Sequence, residues 1–324
     1  MGWREFNINT TEFQEALNRL DAKQAKIAKA RPLPSIAMIK IKESLNVEWT
    51  YNSNSIEGNT LTLQETKMVI EEGITVKGKS LREHFETVNH QEAIEYIYSL
   101  AKPGYKISEQ DVLEAHSLVL NKNEKDFAGR FRNAGVRITG ANFAPPNALK
   151  VHDLFEELIH WVNSEAKNLH PVVAATIFHH RFVWIHPFFD GNGRTVRLVF
   201  NLLLMKEGFP PAIILKNDRK KYYDALNKAN SGDYSKLLLL VIQALDRTLT
   251  IYLNTVDNNG EEYLPINSMV LEDNVPYGQE YISLLARRGK IDAYKEGRVW
   301  YTTEKAVKNY ISTRKRNRDI SKGE

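Results

Sequence analysis

Cysteine is absent from the 324 residues of the chain, which excludes disulfide scaffolds, cysteine-ligated zinc, iron–sulfur clusters and thiol nucleophiles. Long apolar runs are also missing. The runs at 211–215 and 237–242 are too short to cross a bilayer, and the N-terminus has no apolar signal core. Neither sign of charge dominates, because the formal net charge is only +4, and this argues against a protein that coats a polyanion. The sequence therefore predicts a cytoplasmic protein without a membrane partner.

Apolar residues, by contrast, are plentiful and lie at helical spacing. They account for 42% of the chain, which is enough for sizeable cores, and they recur three or four residues apart along most of it. We expect a mainly α fold in three parts: an N-terminal helical region over 1–105, a helical core over 106–256 and a small module over 257–324. Residues 257–260, Asp-Asn-Asn-Gly, have the composition of a linker.

Helix-breaking and helix-capping residues near the N-terminus predict where helices begin and end. Residues 31–34, Arg-Pro-Leu-Pro, break a first helix, and Ser35 is the expected N-cap of a second. That second helix, over about 35–58, is expected to stop at Gly58. The run Thr62–Glu65 matches a capping box that opens a third helix.

The helical spacing of apolar residues is interrupted between residues 129 and 146. Residues 136–139, Val-Arg-Ile-Thr, alternate β-branched and other side chains, and Gly140 and a pair of prolines follow. This pattern predicts a short β-hairpin flap rather than a helix.

The most informative segment is His-Pro-Phe-Phe-Asp-Gly-Asn-Gly-Arg-Thr-Val-Arg, residues 186–197. An apolar helix that begins at Pro171 precedes it, and a second apolar helix follows. The segment thus places a glycine-containing loop at the start of a helix. Successive backbone N–H groups in such a loop form a concavity that binds anions.

The side chains of this segment fit nucleotide chemistry. Arg194 and Arg197 lie near a helix N-terminus. The interaction of their positive charge with the helix dipole is unfavourable there, by about 0.3–1 kcal/mol for each residue. A bound polyphosphate would make both positions favourable, because the guanidinium groups would then face phosphate oxygens. Asp190 is a suitable ligand for Mg²⁺, which prefers one or two carboxylates together with substrate phosphates. His186 can accept a proton at neutral pH.

The segment resembles the Fic family signature, His-Pro-Phe-x-x-Gly-Asn-Gly-Arg-x-x-Arg, with every specified position filled, and the resemblance extends over roughly residues 35–250. It implies a Fic-type helical core and transfer of AMP from ATP to a Ser, Thr or Tyr hydroxyl of a protein target. His186 would be the general base, and Arg194 would meet the γ-phosphate. The implied ATP contacts in the signature are Asp190, which would hold Mg²⁺, and Gly191, Asn192, Gly193, Arg194, Thr195, Val196 and Arg197.

Two further regions resemble nucleotide-lining positions of the family. The implied contacts there are Arg137, Ile138, Thr139 and Gly140 of the flap, and Tyr222, Tyr223 and Asn230 beyond the second apolar helix. A purely structural hairpin and tyrosines that only pack between helices remain open as alternatives. A hairpin edge would also suit an extended target peptide.

Residues 53–58, Ser-Asn-Ser-Ile-Glu-Gly, resemble the inhibitory motif of the family, Ser/Thr-x-x-x-Glu-Gly/Asn. Ser53 and Glu57 are four residues apart and share one helix face. The resemblance implies that Glu57 borders the ATP site and pairs with Arg194. We therefore expect a self-inhibited adenylyltransferase, capable of self-modification, whose inhibitory helix lies in the same chain.

The sequence over 257–324 predicts a helix, a glycine turn at Gly289, a β-like stretch over 291–301 and a final helix. This order of elements resembles a winged helix. Residues 260–324 of the module hold 12 basic and 10 acidic residues, which leaves little net charge for DNA, so docking to a protein or to a second copy is the preferred interpretation. The alternatives for the whole chain are a DNA-binding regulator that carries a Fic core, an enzyme that removes AMP at the same site, and transfer of a different nucleotide.

Overall fold

The computed structural model describes residues 8, 10–30, 35–124, 126–256, 262–271 and 275–320. The breaks predicted at 31–34 and 257–260 lie outside these residues. The described chain is mainly helical, as predicted. Its elements are α1 (Gln14–Lys29), α2 (Ser35–Ile56), α3 (Leu63–Glu72), α4 (Leu81–Leu100), α5 (Glu109–Leu120), α6 (Val151–Asn163), α7 (Pro171–Ile185), α8 (Asn192–Met205), α9 (Arg219–Ala229), α10 (Ser235–Val256), β1 (Leu264–Pro265), α11 (Ile266–Leu271), α12 (Gln279–Arg287), β2 (Ala293–Glu296), β3 (Val299–Thr302) and α13 (Glu304–Ile320).

The contacts divide the chain into two compact units. The first unit holds α2 to α9, and the second holds α1, α11 to α13 and the three strands; the chain passes from one to the other within α10, after Val241. The sequence placed α1 in the N-terminal region, but α1 packs in the second unit, where Lys23 pairs with Asp246 and Asp292. The boundary predicted at residue 105 falls between α4 and α5, which pack together in the first unit.

Helices α7 and α8 form the centre of the first unit and place the glycine-containing loop between them. Pro171 occupies the first turn of α7, and the His170 side chain accepts a hydrogen bond from Val172 N. Both helices are buried almost along their whole length, and most of their side chains are apolar. A helix pair of this kind is a rigid support for the loop that it carries.

The helix ends near the N-terminus follow the predicted signals. Thr62 and Glu65 form a complete capping box at the start of α3. Helix α2 ends at Ile56, and Gly58 adopts a φ of 109°, a conformation that a residue with a Cβ rarely takes. The side chain of Ser35 is outside the described part of the structure.

The predicted β-hairpin flap is wrong in one respect, because no strand pairing occurs within the described residues 126–147. A turn is present, in which Ala141 N donates to Ile138 O over 3.2 Å. The returning segment contains two prolines, which cannot donate to a ladder. The turn is bonded instead to the C-terminal end of α9 and the residue that follows it, since Asn227 Nδ2 donates to Gly140 O and Asn230 Nδ2 donates to Asn142 Oδ1.

The second unit contains a small antiparallel sheet in the order β1-β3-β2. Helices α11 and α12 precede the β2–β3 hairpin, and Gly289 ends α12 with a φ of 66°. Its core is apolar and consists of Ile266, Met269, Val275, Ile282, Leu285, Ala286, Ile291, Ala293 and Val307. The order of helices and hairpin agrees with the predicted pattern, and the winged-helix assignment stays a prediction.

Helix α10 is long and apolar enough to span a membrane by length and composition alone. However, 67% of its apolar window is buried inside the protein. Asp246 in this helix is also buried and ion-paired. These are the properties of a core helix.

Candidate active site

A cavity of about 620 Å³ opens in the first unit at the loop between α7 and α8. The predicted site residues that line it are Glu57, Arg137, Ile138, Thr139, Gly140, His186, Asp190, Gly191, Asn192, Gly193, Arg194, Arg197, Tyr222, Tyr223 and Asn230. Ser53, Thr195 and Val196 do not line it, and all three are buried. Lining residues that the sequence did not single out are Ala141, Phe143, Val183, Phe189, Arg219, Leu226 and Asn227.

His186 follows directly after the last residue of α7 and has a φ of 50°. Its backbone is held by Arg132, whose Nε donates to His186 O over 2.7 Å. The same guanidinium also donates to the carbonyls of Ala134, Pro146 and Ile185. Arg132 is 2% exposed, and it fixes the start of the loop to the flap. Sequence reasoning missed this residue, since no local pattern marks a partner 54 positions away.

A second residue missed from the sequence, His116 of α5, holds the other end of the loop. Gly129 N donates to His116 Nδ1, so that Nε2 carries the proton and donates to Asp190 O over 3.0 Å. The ring stacks on Phe188 at a centroid separation of 3.6 Å. Burial lowers the pKa of His116 to about 4, which agrees with a neutral ring. Gly191 is needed here, because a Cβ would press on this ring and its φ is 73°.

The Asn192 side chain closes the loop by bonding to the backbone of Phe188. Its Oδ1 accepts from Phe188 N over 3.0 Å, and its Nδ2 donates to Phe188 O over 2.8 Å. Thr195 and Val196 are fully buried. Of these three residues, only Asn192 reaches the cavity.

Glu57 pairs with Arg197 rather than with Arg194, so the predicted partner is wrong. Glu57 Oε1 lies 2.7 Å from the Nη2 of Arg197. Ser53 contacts the same guanidinium, accepting from Arg197 Nε at its hydroxyl and from Nη2 at its carbonyl. The reason lies in the helix geometry, since Arg197 is one turn further along α8 and faces the end of α2, whereas Arg194 faces α4.

The Glu57 carboxylate also packs directly against Gly193 in the first turn of α8. A Cβ at position 193 would overlap with it. The positive end of the α8 dipole and a buried arginine thus both face this carboxylate. Glu57 occupies the place where the sequence predicts that a bound anion lies.

The candidate base His186 is half-buried on the cavity wall. Its pKa is lowered to about 4, mainly by burial and to a smaller extent by Arg132, whereas the Val183 carbonyl, Glu57 and Asp190 act in the opposite direction. The ring is therefore neutral at physiological pH and can accept a proton. Its Nδ1 atom is buried without a hydrogen-bond partner among the described residues.

Asp190 has the features of a metal ligand that acts together with a substrate. Its side chain is 48% exposed, and its Oδ2 lies 3.6 Å from the guanidinium groups of Arg82 and Arg194. Within the described residues there is no group of three or more His, Asp or Glu side chains that would hold a metal alone. A single carboxylate fits Mg²⁺ where phosphates supply further oxygens.

The opposite wall of the cavity is aromatic and polar. The Tyr222 hydroxyl lies 2.7 Å from His179 Nε2 and is thus already bonded inside the protein. Tyr223 stacks under the guanidinium of Arg219, which donates to Ile56 O at the end of α2. Asn230 bonds His180 at one end and Asn142 at the other. Tyr222 and Asn230 therefore have packing contacts as well as a face toward the cavity.

The sequence profile of the Fic/DOC family matches residues 106–204. The protein adenylyltransferase Fic of Nematostella vectensis is 37% identical over 242 residues, which cover 74% of this chain and 56% of that protein. The chain spans about half the length of the curated relatives it matches.

Solved structures agree with the sequence relatives. A fragment of Fic-1 from C. elegans superposes with a TM-score of 0.70 at 29% identity, covering 76% of this chain and 73% of the fragment. A Glu→Gly variant of that fragment superposes with a TM-score of 0.67 at 31% identity, covering 75% of this chain and 72% of the variant. With the signature loop, the cavity and these similarities in agreement, this chain belongs to the Fic/DOC family.

Proposed function

We propose that the chain is a self-inhibited protein adenylyltransferase, which transfers AMP from ATP to a Ser, Thr or Tyr hydroxyl of a protein target or of itself. The observation that carries this proposal is the Glu57 carboxylate, which lies on Arg197 and Gly193 in the cavity that His186 lines. The names of the curated relatives support the reaction type.

The transfer requires a general base and cationic groups that stabilise the negative charge of the phosphates. The target hydroxyl oxygen attacks the α-phosphorus of ATP, its proton passes to the His186 ring, and the bond to the β-phosphate breaks, so that pyrophosphate leaves. Arg194 and Arg197 are buried and offer guanidinium groups to the phosphate chain. Asp190 would hold Mg²⁺, which would neutralise phosphate charge when bound.

The proposed inhibition arises because Glu57 and the phosphates of ATP compete for the same arginine, Arg197. While Glu57 holds Arg197, that guanidinium is not free to orient the phosphates. A misplacement of about 1 Å can lower the rate about 10²-fold. ATP bound beside Glu57 would therefore present its α-phosphorus off the line of attack.

The decisive experiment compares self-labelling from α-labelled ATP in wild type and in Glu57→Gly at equal protein concentration. We expect Glu57→Gly to label at least about 10²-fold faster. Glu57→Gln, which keeps the side-chain length but loses the charge, should be activated as well. Glu43→Gln, on the exposed part of α2, is the matched control and should behave like wild type.

A double variant tests the arginine that the structure identifies. Glu57→Gly combined with Arg197→Ala should lose most of the gain, because the released guanidinium is then missing. A Glu57→Gly protein that is no more active than wild type would refute the inhibitory role. Absence of labelling in every variant, with a range of protein substrates, would refute adenylyl transfer.

A further inference from the structure

A second carboxylate contacts the signature arginines, and it comes from α4. Glu86 Oε1 lies 3.4 Å from the Nη1 of Arg194. The same oxygen accepts from Arg82 Nε over 3.3 Å. Glu86 does not line the cavity, whereas Arg194 does. The carboxylate therefore lies behind the arginine, on the side away from the space for a ligand.

Both partners of this contact are shielded from water. Arg194 is 4% exposed and the Glu86 side chain is 14% exposed. The only other carboxylate on Arg194 among the described residues is Asp190, which is far more exposed. Because a charge shielded from water interacts more strongly than one at the surface, Glu86 is the main counter-charge of Arg194 in the absence of a ligand.

Glu86 is also connected to the segment that carries Glu57. Its Oε2 accepts from Asn59 Nδ2 over 2.9 Å, and its carbonyl accepts from Asn54 Nδ2 over 3.2 Å. These two asparagines flank Glu57 in sequence. The end of α2 and Arg194 are therefore bound to the same residue of α4.

We propose that Glu86 is a second restraining carboxylate, which neutralises Arg194 as Glu57 neutralises Arg197 and thereby lowers the affinity of the cavity for the phosphate chain of a nucleotide. This inference rests on the proposed function, since it assumes that Arg194 faces phosphate. Each signature arginine is then held by a glutamate from a different N-terminal segment, since Glu57 follows α2 and Glu86 lies in α4.

The expected sign follows from comparing two effects of Glu86. Its charge opposes the binding of an anionic ligand, and its contact orders the Arg194 side chain, which would favour binding. The charge effect is larger, because the pair is shielded from water, whereas ordering one side chain is a smaller contribution. Removal of the charge should therefore strengthen phosphate binding.

The test is direct binding of ATP, ADP and AMP, measured by titration calorimetry on the full chain with and without Mg²⁺. We expect Glu86→Gln to bind ATP about five- to tenfold more tightly than wild type. The gain should be smaller for ADP and absent for AMP, because the effect grows with the number of phosphates. Glu86→Asp keeps the charge and should remain near wild type. Glu92→Gln, on an exposed position of α4 beside Lys122, is the matched control.

Unchanged or weaker ATP binding by Glu86→Gln would overturn the proposal, and so would an equal gain for AMP. If Glu86→Gln does not fold, Glu86→Ala in the Glu57→Gly background replaces it, with the same expected order of nucleotides. The binding measurement is independent of AMP transfer. A chain that shows this order of affinities but transfers no AMP would contradict the proposed reaction and leave the role of Glu86 intact.

Discussion

At the scale of the residue, His186 combines a strained backbone position with a neutral ring. If it is the base for the target hydroxyl, His186→Ala should lower AMP transfer by about 10²–10⁴-fold in the activated Glu57→Gly background. ATP binding should change little, because the ring acts on the hydroxyl rather than on the nucleotide. Initial rates and calorimetric titration of the same samples check both parts, and near-native transfer by the variant would exclude the role.

The pH dependence of this activity follows from the pKa of His186. Burial lowers that pKa to about 4, so the ring is already deprotonated across the range from about 5 to 8 and becomes protonated only in more acidic solution. The acidic limb of the rate profile should therefore lie below the pH of about 6.5 expected for an exposed histidine. A limb centred at or above that value would mean that another group controls the rate.

Asp190 gives a prediction about Mg²⁺. Asp190→Ala should lose the Mg²⁺-dependent increase in ATP affinity, because no cluster of other ligands replaces the carboxylate among the described residues. Calorimetric titration of ATP at increasing Mg²⁺ measures this effect without requiring turnover. Asp224→Ala, on the exposed face of α9, is the control. If the two variants respond alike to Mg²⁺, Asp190 is not the ligand.

At the scale of the element, the helices of the second unit are joined by buried charge rather than by apolar contact alone. Lys23 Nζ on α1 lies 2.7 Å from Asp246 Oδ1 on α10 and 2.6 Å from Asp292 Oδ1, and it donates to Thr250 Oγ1 over 2.8 Å. Arg19 adds a second cation to Asp246. A buried pair contributes little when compared with apolar residues, but the loss of one partner is costly.

Lys23→Met should therefore lower the free energy of unfolding by about 3 kcal/mol, because Arg19 is then the only ion-pair partner of Asp246 among the described residues. Chemical denaturation of the full chain measures this change. Lys26→Met, at an exposed position of the same helix, should have little effect. Lys23→Met with Asp246→Leu should recover part of the loss, and an unchanged midpoint for the single variant would argue against a structural role of the pair.

The pH dependence of the same cluster has a defined sign. Its cations hold the pKa of Asp246 below its usual range, against the opposing effect of burial. A carboxylate with a depressed pKa contributes stability at neutral pH that is lost as the pH falls below the ordinary value of about 4. Wild-type stability should decrease more steeply than that of the double variant below this pH.

At the scale of the whole molecule, the accuracy of sequence reasoning depended on the range of the interaction. The capping box at Thr62 and the helix stop at Gly58 were predicted, because both depend on bonds between residues only a few positions apart. The loop between α7 and α8 was predicted for the same reason. The flap was predicted as a hairpin, but two prolines and the asparagines at the C-terminal end of α9 leave it as a turn without a strand ladder.

The sequence by itself determined the family, the helical character and the loop that carries His186, Asp190 and the two arginines, since each is encoded in a short continuous run. Only the tertiary structure decided that Glu57 pairs with Arg197, that Glu86 faces Arg194 and that α1 packs with the C-terminal unit. Those pairs are separated by 108 to 269 positions. Which charges meet across such distances is fixed by how the helices pack, because the pairing of long charged side chains leaves no periodic signal in the sequence.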